Sequence, residues 1–341
     1  MGRLLLTLLA SVLVIPGSVF AHEVYVLDPA SVAAGMATSS PNPFLAYFGN
    51  EYQFFFWGFV SAVVLSTIIA ASIFGIFERT LDPLFFKLKR FALPLARVTI
   101  GLCFISFGIM GSLYGPEMPL QDLFGSFQNA AQIFLIALGA FLTLGAYTRL
   151  AALCAVLIYL YAAFVHGSYL LTYTDHLGGA LLLLILGGGV WSVDQSIRDR
   201  PRALLAFSRL SRFAFPLMRI LFGFGIMFAA VYAKYIHSQL ALDVVIENDL
   251  TRYFPFDPLF VVLGALIIEF LAGLMLLLGI AVRWTSLFLL FWLTLSLLYF
   301  QEAVWPHLIL IGLGLAIFCH GYDRYSLEGL LLKRRGREPL L

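Results

Sequence analysis

After an apolar N-terminus, nine apolar segments recur along the sequence, approximately at 53–76, 95–114, 129–146, 150–170, 177–193, 215–236, 258–281, 284–300 and 306–320. Several approach the 20 residues a helix needs to cross a bilayer, and the shorter ones reach that length by tilting or by extension into their flanks. Lipid offers no hydrogen bonds to the backbone, so segments of this kind close their bonds internally, as α-helices. The composition agrees, since 61% of residues are hydrophobic and only 12% are charged, with a mean hydropathy of +0.95. The expectation is an all-α integral membrane protein with its lipid bilayer as solvent. Basic and aromatic residues are nowhere organised into a groove outside the apolar runs, which argues against a nucleic-acid partner. Cys103, Cys154 and Cys319 each stand alone in an apolar run and form no disulfide framework.

The opening stretch "MGRLLLTLLASVLVIPGSVFA" has a positive residue, an apolar core, a Pro-Gly break and a small-residue end. That is the anatomy of a secretory signal over 1–21, with an uncleaved anchoring helix as the alternative. Either reading puts a polar segment, 22–52, outside the cytoplasm. A first transmembrane helix and a basic loop follow over 53–89. With that start, Arg79, Lys87, Lys89, Arg90, Arg149, the arginines from Arg198 to Arg212, Arg283 and the basic tail 333–341 all fall inside. Glu117, Asp122, Asp175, Asp243, Glu247, Asp249, Asp257 and Glu302 fall on the opposite side, and Arg252 is the one clear basic exception there. This satisfies the positive-inside bias for a multi-pass protein of the cytoplasmic membrane, N-terminus out and C-terminus in.

The chain also repeats itself. "PLARVTIG" at 94–101 recurs as "PLMRILFG" at 216–223, an offset of 122. "LGAYTRLAAL" at 144–153 recurs as "LGIAVRWTSL" at 278–287, and "SVD" at 192–194 as "SLE" at 326–328, both at an offset of 134. Two parallel four-helix units are expected, over 90–197 and 212–332, giving a 1 + 4 + 4 arrangement. The change of offset marks an insertion in the second unit, around the acidic stretch "LDVVIENDLTRYF".

These elements carry a resemblance. Pro94 and Arg97, Pro216 and Arg219, then Glu269 followed by Gly273, Gly279 and Arg283, and a final Gly321 with Ser326-Leu327-Glu328 resemble the DoxX family of four-helix membrane proteins. The resemblance covers both units. It implies a tandem bundle and a link to quinone or to a redox partner subunit, without naming a substrate. The first unit departs from the pattern, because Leu135 stands where the second has Glu269.

Glu269 lies in the middle of "LGALIIEFLAGLMLLLG". A charge at the centre of a lone helix costs about 2.5–3.5 kcal/mol, so the side chain should face protein. Ala265, Ala272 and Gly273 share its face and permit close helix approach. No Lys or Arg is read at comparable depth, Lys234 being placed near an outer helix end, so the acid is expected to hold its proton. Its roles are then proton acceptor or hydrogen-bond partner beside a quinone, or a tie between helices. Arg219 and Arg283, like Arg97 and Arg149, sit at inner helix ends, as snorkelling side chains or as contacts to a headgroup or quinone carbonyl.

His166, His176, His237 and His307 fall at outer helix ends, and His22 would begin the mature chain. Converging imidazoles could bind copper or zinc, but no HxxxH or HxH spacing occurs, and interfacial rim residues are the favoured reading. Gly101, Gly108 and Gly115, spaced by seven, read as a packing stripe. "GGGVW" at 187–191 lacks the residues of a phosphate loop. With connecting loops of about twenty residues there is no room for a soluble catalytic domain. Three classes remain: a quinone-associated subunit of a membrane redox complex, a structural or assembly scaffold, and a small-solute or metal transporter.

Overall fold

The computed structural model describes residues 26–27, 29–50, 54, 57–62, 65–66, 69, 81, 83–196 and 210–334. The signal segment, His22, most of the first expected membrane helix, most of the linker 198–211 and most of the tail lie outside them. The described residues build helices α1 Pro29–Ala37, α2 Leu45–Asn50, α3 Lys89–Met110, α4 Gln128–Leu144, α5 Thr148–His166, α6 Thr174–Leu186, α7 Ser211–Val231, α8 Ser238–Glu247, α9 Pro258–Leu278, α10 Val282–Phe300 and α11 Val304–His320. Shorter helical turns fill several of the links between them.

Among the described residues six helical stretches are long and apolar enough to cross a membrane: Lys89–Met110, Leu120–Leu144, Thr148–Leu186, Ser211–Ile236, Pro258–Leu278 and Val282–Phe300, with Val304–His320 apolar but shorter. The third is a hairpin. After Gly167 a 3-10 run to Tyr173 reverses the chain, and Arg149 at the start of α5 donates to the Ile185 carbonyl at the end of α6, 3.0 Å away. From residue 95 onward the expected segments overlap these helices, while 53–76 lies mostly outside the described residues. The exception is the glycine stripe: Gly101 and Gly108 face α4, whereas Gly115 lies beyond the end of α3, in the loop before Leu120.

Contacts in the two halves fall at equivalent residues. α3 packs on α4 and α7 on α9. A Cβ on Gly101 would come 2.7 Å from the Gly139 carbonyl oxygen, and one on Gly223 would come 2.6 Å from that of Gly273. α4 and α9 end on Gly145 and Gly279, with φ of 68° and 71°, the left-handed conformation that closes a helix without cost only for glycine. A side chain there would also strike Ser192 or Ser326, each within 2.4 Å of the ideal Cβ. The most extensive cross-packing joins the halves: α3 lies against α11, and α7 against α6. Gly312 of α11 takes Thr99 of α3, and Gly178 of α6 takes Met218 and Leu221 of α7. Each half thus seats its first helix on the last helix of the other.

The glycine contacts yield a sharp contrast. A Gly223→Ala substitution must push α7 off α9, because the added carbon meets backbone, and is expected to lower stability by about 1–3 kcal/mol. Gly264→Ala, in the same pair of helices but with no atom within 4 Å of the added carbon, should leave stability unchanged or raise it by about 0.5–1 kcal/mol. Thermal unfolding of the two variants in one detergent checks this; equal midpoints would contradict the packing.

The polar segment before residue 53 has too little apolar surface for a core of its own. It folds by borrowing one. α1 packs on α8, the helix formed by the acidic insertion, and α2 packs on α9. Leu27, Val32 and Ala46 are buried there. Ser31 Oγ donates to Glu247 Oε1 at 2.9 Å, and Ser238 Oγ donates to the Pro41 carbonyl. The insertion therefore supplies the surface on which the N-terminal segment rests.

Candidate functional site

α7 runs into a π turn, Tyr232–Ile236, in which the His237 amide donates to the Tyr232 carbonyl at 3.0 Å. Such wide turns add a residue to the helix and often accompany functional sites. This one carries Lys234, whose Nζ lies 2.8 Å from Glu269 Oε2. Trp292 of α10 donates its indole N–H to the other carboxylate oxygen, Oε1, at 3.1 Å. One acid so joins α7, α9 and α10. Glu269 is eleven residues into α9, about 16 Å along its axis.

The pairing corrects the expectation of an acid without a cation. Counting residues put Lys234 at the outer end of its helix, but a four-carbon stem spans more than a helical turn and carries its ammonium inward. The carboxylate is therefore matched by a positive charge and an N–H donor, and needs no proton of its own to be satisfied. Both charged side chains retain some exposure, 20% for Lys234 and 17% for Glu269. They stand at the edge of the packing, beside the α9–α10 contact, while Ala272 is buried and Gly273 lies against Gly223 and Met227 of α7. At the equivalent positions of the first half stand Ser112, Leu135 and Ile158. The polar triad belongs to the second half alone.

The four arginines are buried or half-buried fixtures of the fold. Arg97, Arg219 and Arg283 are between 2% and 4% exposed, which corrects their reading as snorkelling side chains. A helix leaves four carbonyls unbonded at its C-terminus, and in lipid these need donors from the protein. Arg97 donates to the carbonyls of Gly188, at 2.6 Å, and Trp191, at 2.7 Å. Arg219 donates to those of Leu276 and Leu277 and pairs through Nε with Asp323 Oδ2 at 3.1 Å. Arg283 donates to Phe318 and lies over the ring of Phe85, 5.4 Å from its centroid.

The recurring Ser-Val-Asp and Ser-Leu-Glu do the complementary work. Asp194 accepts from the amides of Tyr147 and Thr148 at the start of α5, at 2.7 and 2.9 Å. Glu328 accepts from the Val282 amide at the start of α10, at 2.9 Å. Carboxylates thus take the free amides at two helix starts, the favourable end of the dipole.

The described histidines do not converge on a metal site, and His22 lies outside the described residues. Among the described residues no three His, Cys, Asp or Glu side chains form a group that could hold a metal ion. His307 pairs with Glu302 at 2.9 Å, His237 packs on Tyr232, and His166 is half-buried at the end of α5. His176 occupies a setting the sequence reading missed. It is buried among Phe107, Tyr114 and Tyr173, with the Tyr114 ring centroid 4.6 Å away. Tyr173 and Tyr169 both donate to Glu117 Oε1, the latter at 3.0 Å. Tyr114 is held at a φ of 62°. Neither His176 ring nitrogen nor the Tyr114 hydroxyl reaches a protein hydrogen-bond partner among the described residues. The signal available in the sequence was the density of tyrosines in "YLLTYTDH", at the reversal between α5 and α6.

A buried polar ring without protein partners is destabilising. His176→Leu, which keeps the volume and removes both nitrogens, should therefore hold or raise stability by about 1 kcal/mol. Chemical unfolding of the purified protein tests this, and a loss of more than that amount would mean that His176 has a bonded role.

No family model, curated protein or solved structure matches the chain.

Proposed function

We propose that this protein is a DoxX-like subunit of a membrane redox complex, two four-helix units in tandem behind a signal and one further membrane helix, and that Lys234, Glu269 and Trp292 form its quinone-facing site. The observation that carries the reading is the triad itself. A carboxylate, an ammonium and an indole N–H meet within hydrogen-bond distance inside membrane-spanning helices, and they remain partly exposed at the edge of the bundle. Intramembrane charges of this kind are expensive and mark function by default. The equivalent contacts around Gly145 and Gly279, Arg97 and Arg219, and Asp194 and Glu328 support the tandem arrangement.

A quinone carries two carbonyl oxygens that accept hydrogen bonds and take up protons when the ring is reduced. Lys234 and Trp292 supply the donors that would orient a carbonyl, and Glu269 a group that can hold or yield the accompanying proton. Arg219 and Arg283 sit with their guanidiniums among helix-end carbonyls, and their part in this reading is to hold the ends of the helices that position the triad.

A second reading has its own observation: the same three side chains tie α7, α9 and α10 together, as a scaffold for another subunit would need. Purification from native membranes, with mass spectrometry of both proteins and lipophilic small molecules, separates the two. The redox reading expects a quinone and an electron-transfer subunit together. A partner without quinone supports the scaffold, and neither overturns both.

A further inference from the structure

We infer that the N-terminal segment 41–46 positions Lys234 against Glu269, by clasping the π turn that carries the lysine. The turn is a weak place in α7. A helix holding one extra residue relaxes by rotating whatever lies beyond it through about 100°, the angle of one residue, and the wide form persists only where its neighbours over-determine it. That rotation would take the Lys234 ammonium off the side of the helix that faces α9 and leave Glu269 without its cation. The segment meets the turn at three levels. Before it, the buried Ala46 shares one apolar cluster with Ala230 of α7 and with Phe260, Leu263 and Leu266 of α9. Ala230 stands one helical turn before Lys234, and Leu266 one turn before Glu269, so this cluster borders the ion pair on both helices. Within the turn, the Phe44 ring stands edge-on to Tyr235, the residue after Lys234, with their centroids 6.1 Å apart. Beyond it, the fully buried Ser238 donates its hydroxyl to the Pro41 carbonyl. The segment is anchored in turn. The Phe44 amide donates to the Asn42 side-chain oxygen at 3.0 Å, which fixes the bend from which the ring projects, and α1 lies so close on α8 that a Cβ on Gly35 would strike Leu240 and Asp243. Whatever displaces the segment therefore opens the pair.

The inference goes beyond the quinone reading and does not rest on it, because the pair must be held whether the triad faces a quinone or only ties helices. The full-length protein in mild detergent is treated with limiting N-hydroxysuccinimidyl acetate, and acetylation of Lys234 is measured by peptide mass spectrometry against that of Lys87, an exposed lysine elsewhere. Glu269→Gln sets the rate of an unpaired Lys234. Phe44→Ala/Ser238→Ala should raise the wild-type rate about tenfold, most of the way to that limit. Phe44→Tyr, which keeps the ring, should stay at the wild-type rate. Should the double variant fail to fold, Phe44→Ala alone, a change at an exposed side chain, should raise the rate about threefold. Gly101→Ala loosens α3 against α4, away from the turn, and should leave Lys234 unchanged. A wild-type rate in the folded Phe44→Ala variants would overturn the inference. So would an equal rise in Gly101→Ala, which would report general loosening in place of a clasp. Quinone content does not enter the measurement, so failure here and failure of the quinone reading are separate results.

Discussion

Replacing Arg219 with methionine should cost the fold about 3–5 kcal/mol, the largest effect expected of any single substitution in the protein. The guanidinium is 2% exposed and serves three acceptors at once: the Leu276 and Leu277 carbonyls at the end of α9 and the carboxylate of Asp323. Methionine fills much of the same volume and supplies no donor. The Leu277 carbonyl then loses the guanidinium, that of Leu276 keeps only the Gly279 amide, and Asp323 is left as a buried charge. Lysine is expected to rescue little, since one ammonium cannot reach all three acceptors in the plane that the guanidinium spans. Adding Asp323→Asn to the methionine variant should recover part of the loss by removing the stranded charge. Arg97→Met, which strands carbonyls but no paired carboxylate, should cost less. Unfolding midpoints of the four variants in one detergent check this ordering; an Arg219→Met protein as stable as the wild type would mean that the end of α9 is satisfied in another way.

The second large effect concerns the triad. Lys234→Met should destabilise the protein by about 3 kcal/mol, the cost of an uncompensated acid at membrane depth. The double variant Lys234→Met/Glu269→Leu should restore stability to near the wild-type value. Removing both charges leaves only the neutral Trp292 indole N–H without its acceptor, and replacement of a buried pair by apolar groups of similar size is commonly neutral or favourable. The protein itself carries precedent for leucine at this place, because Leu135 occupies the equivalent position of the first half and is buried there. Trp292→Phe, which removes one neutral donor, should cost about 1 kcal/mol. Failure of the double variant to recover would indicate that the pair is embedded in further interactions.

Much of this architecture was legible in the residues. Apolar runs of bilayer length left helices as the only economical backbone solution, and the recurring Pro-x-x-Arg and Ser-x-Asp/Glu elements located corresponding helix starts and ends. What those elements do was less accessible. The arginines and the carboxylates at 194 and 328 act on backbone groups 35 or more residues distant, and a sequence offset records recurrence without saying which surfaces meet. The exchange of first helices between halves is hidden for the same reason: α3 on α6 and α3 on α11 require the same small and branched residues. Glu269 was found because one acid in an apolar run is conspicuous. Its partner was not, because depth was judged from the position of a Cα while the contact is made at the end of a long side chain. The buried cluster around His176 escaped because its members, from Phe107 to Tyr173, come from three separate segments and share no period.

The claim on which the functional account rests is that the Lys234–Glu269–Trp292 triad contacts a quinone, and the most direct measurement is the quinone content of purified protein. The wild type should carry quinone at a constant ratio to protein, and the Lys234→Met/Glu269→Leu variant, with the same unfolding midpoint, should carry almost none. Equal quinone in both would contradict the account and leave the triad as a tie between helices.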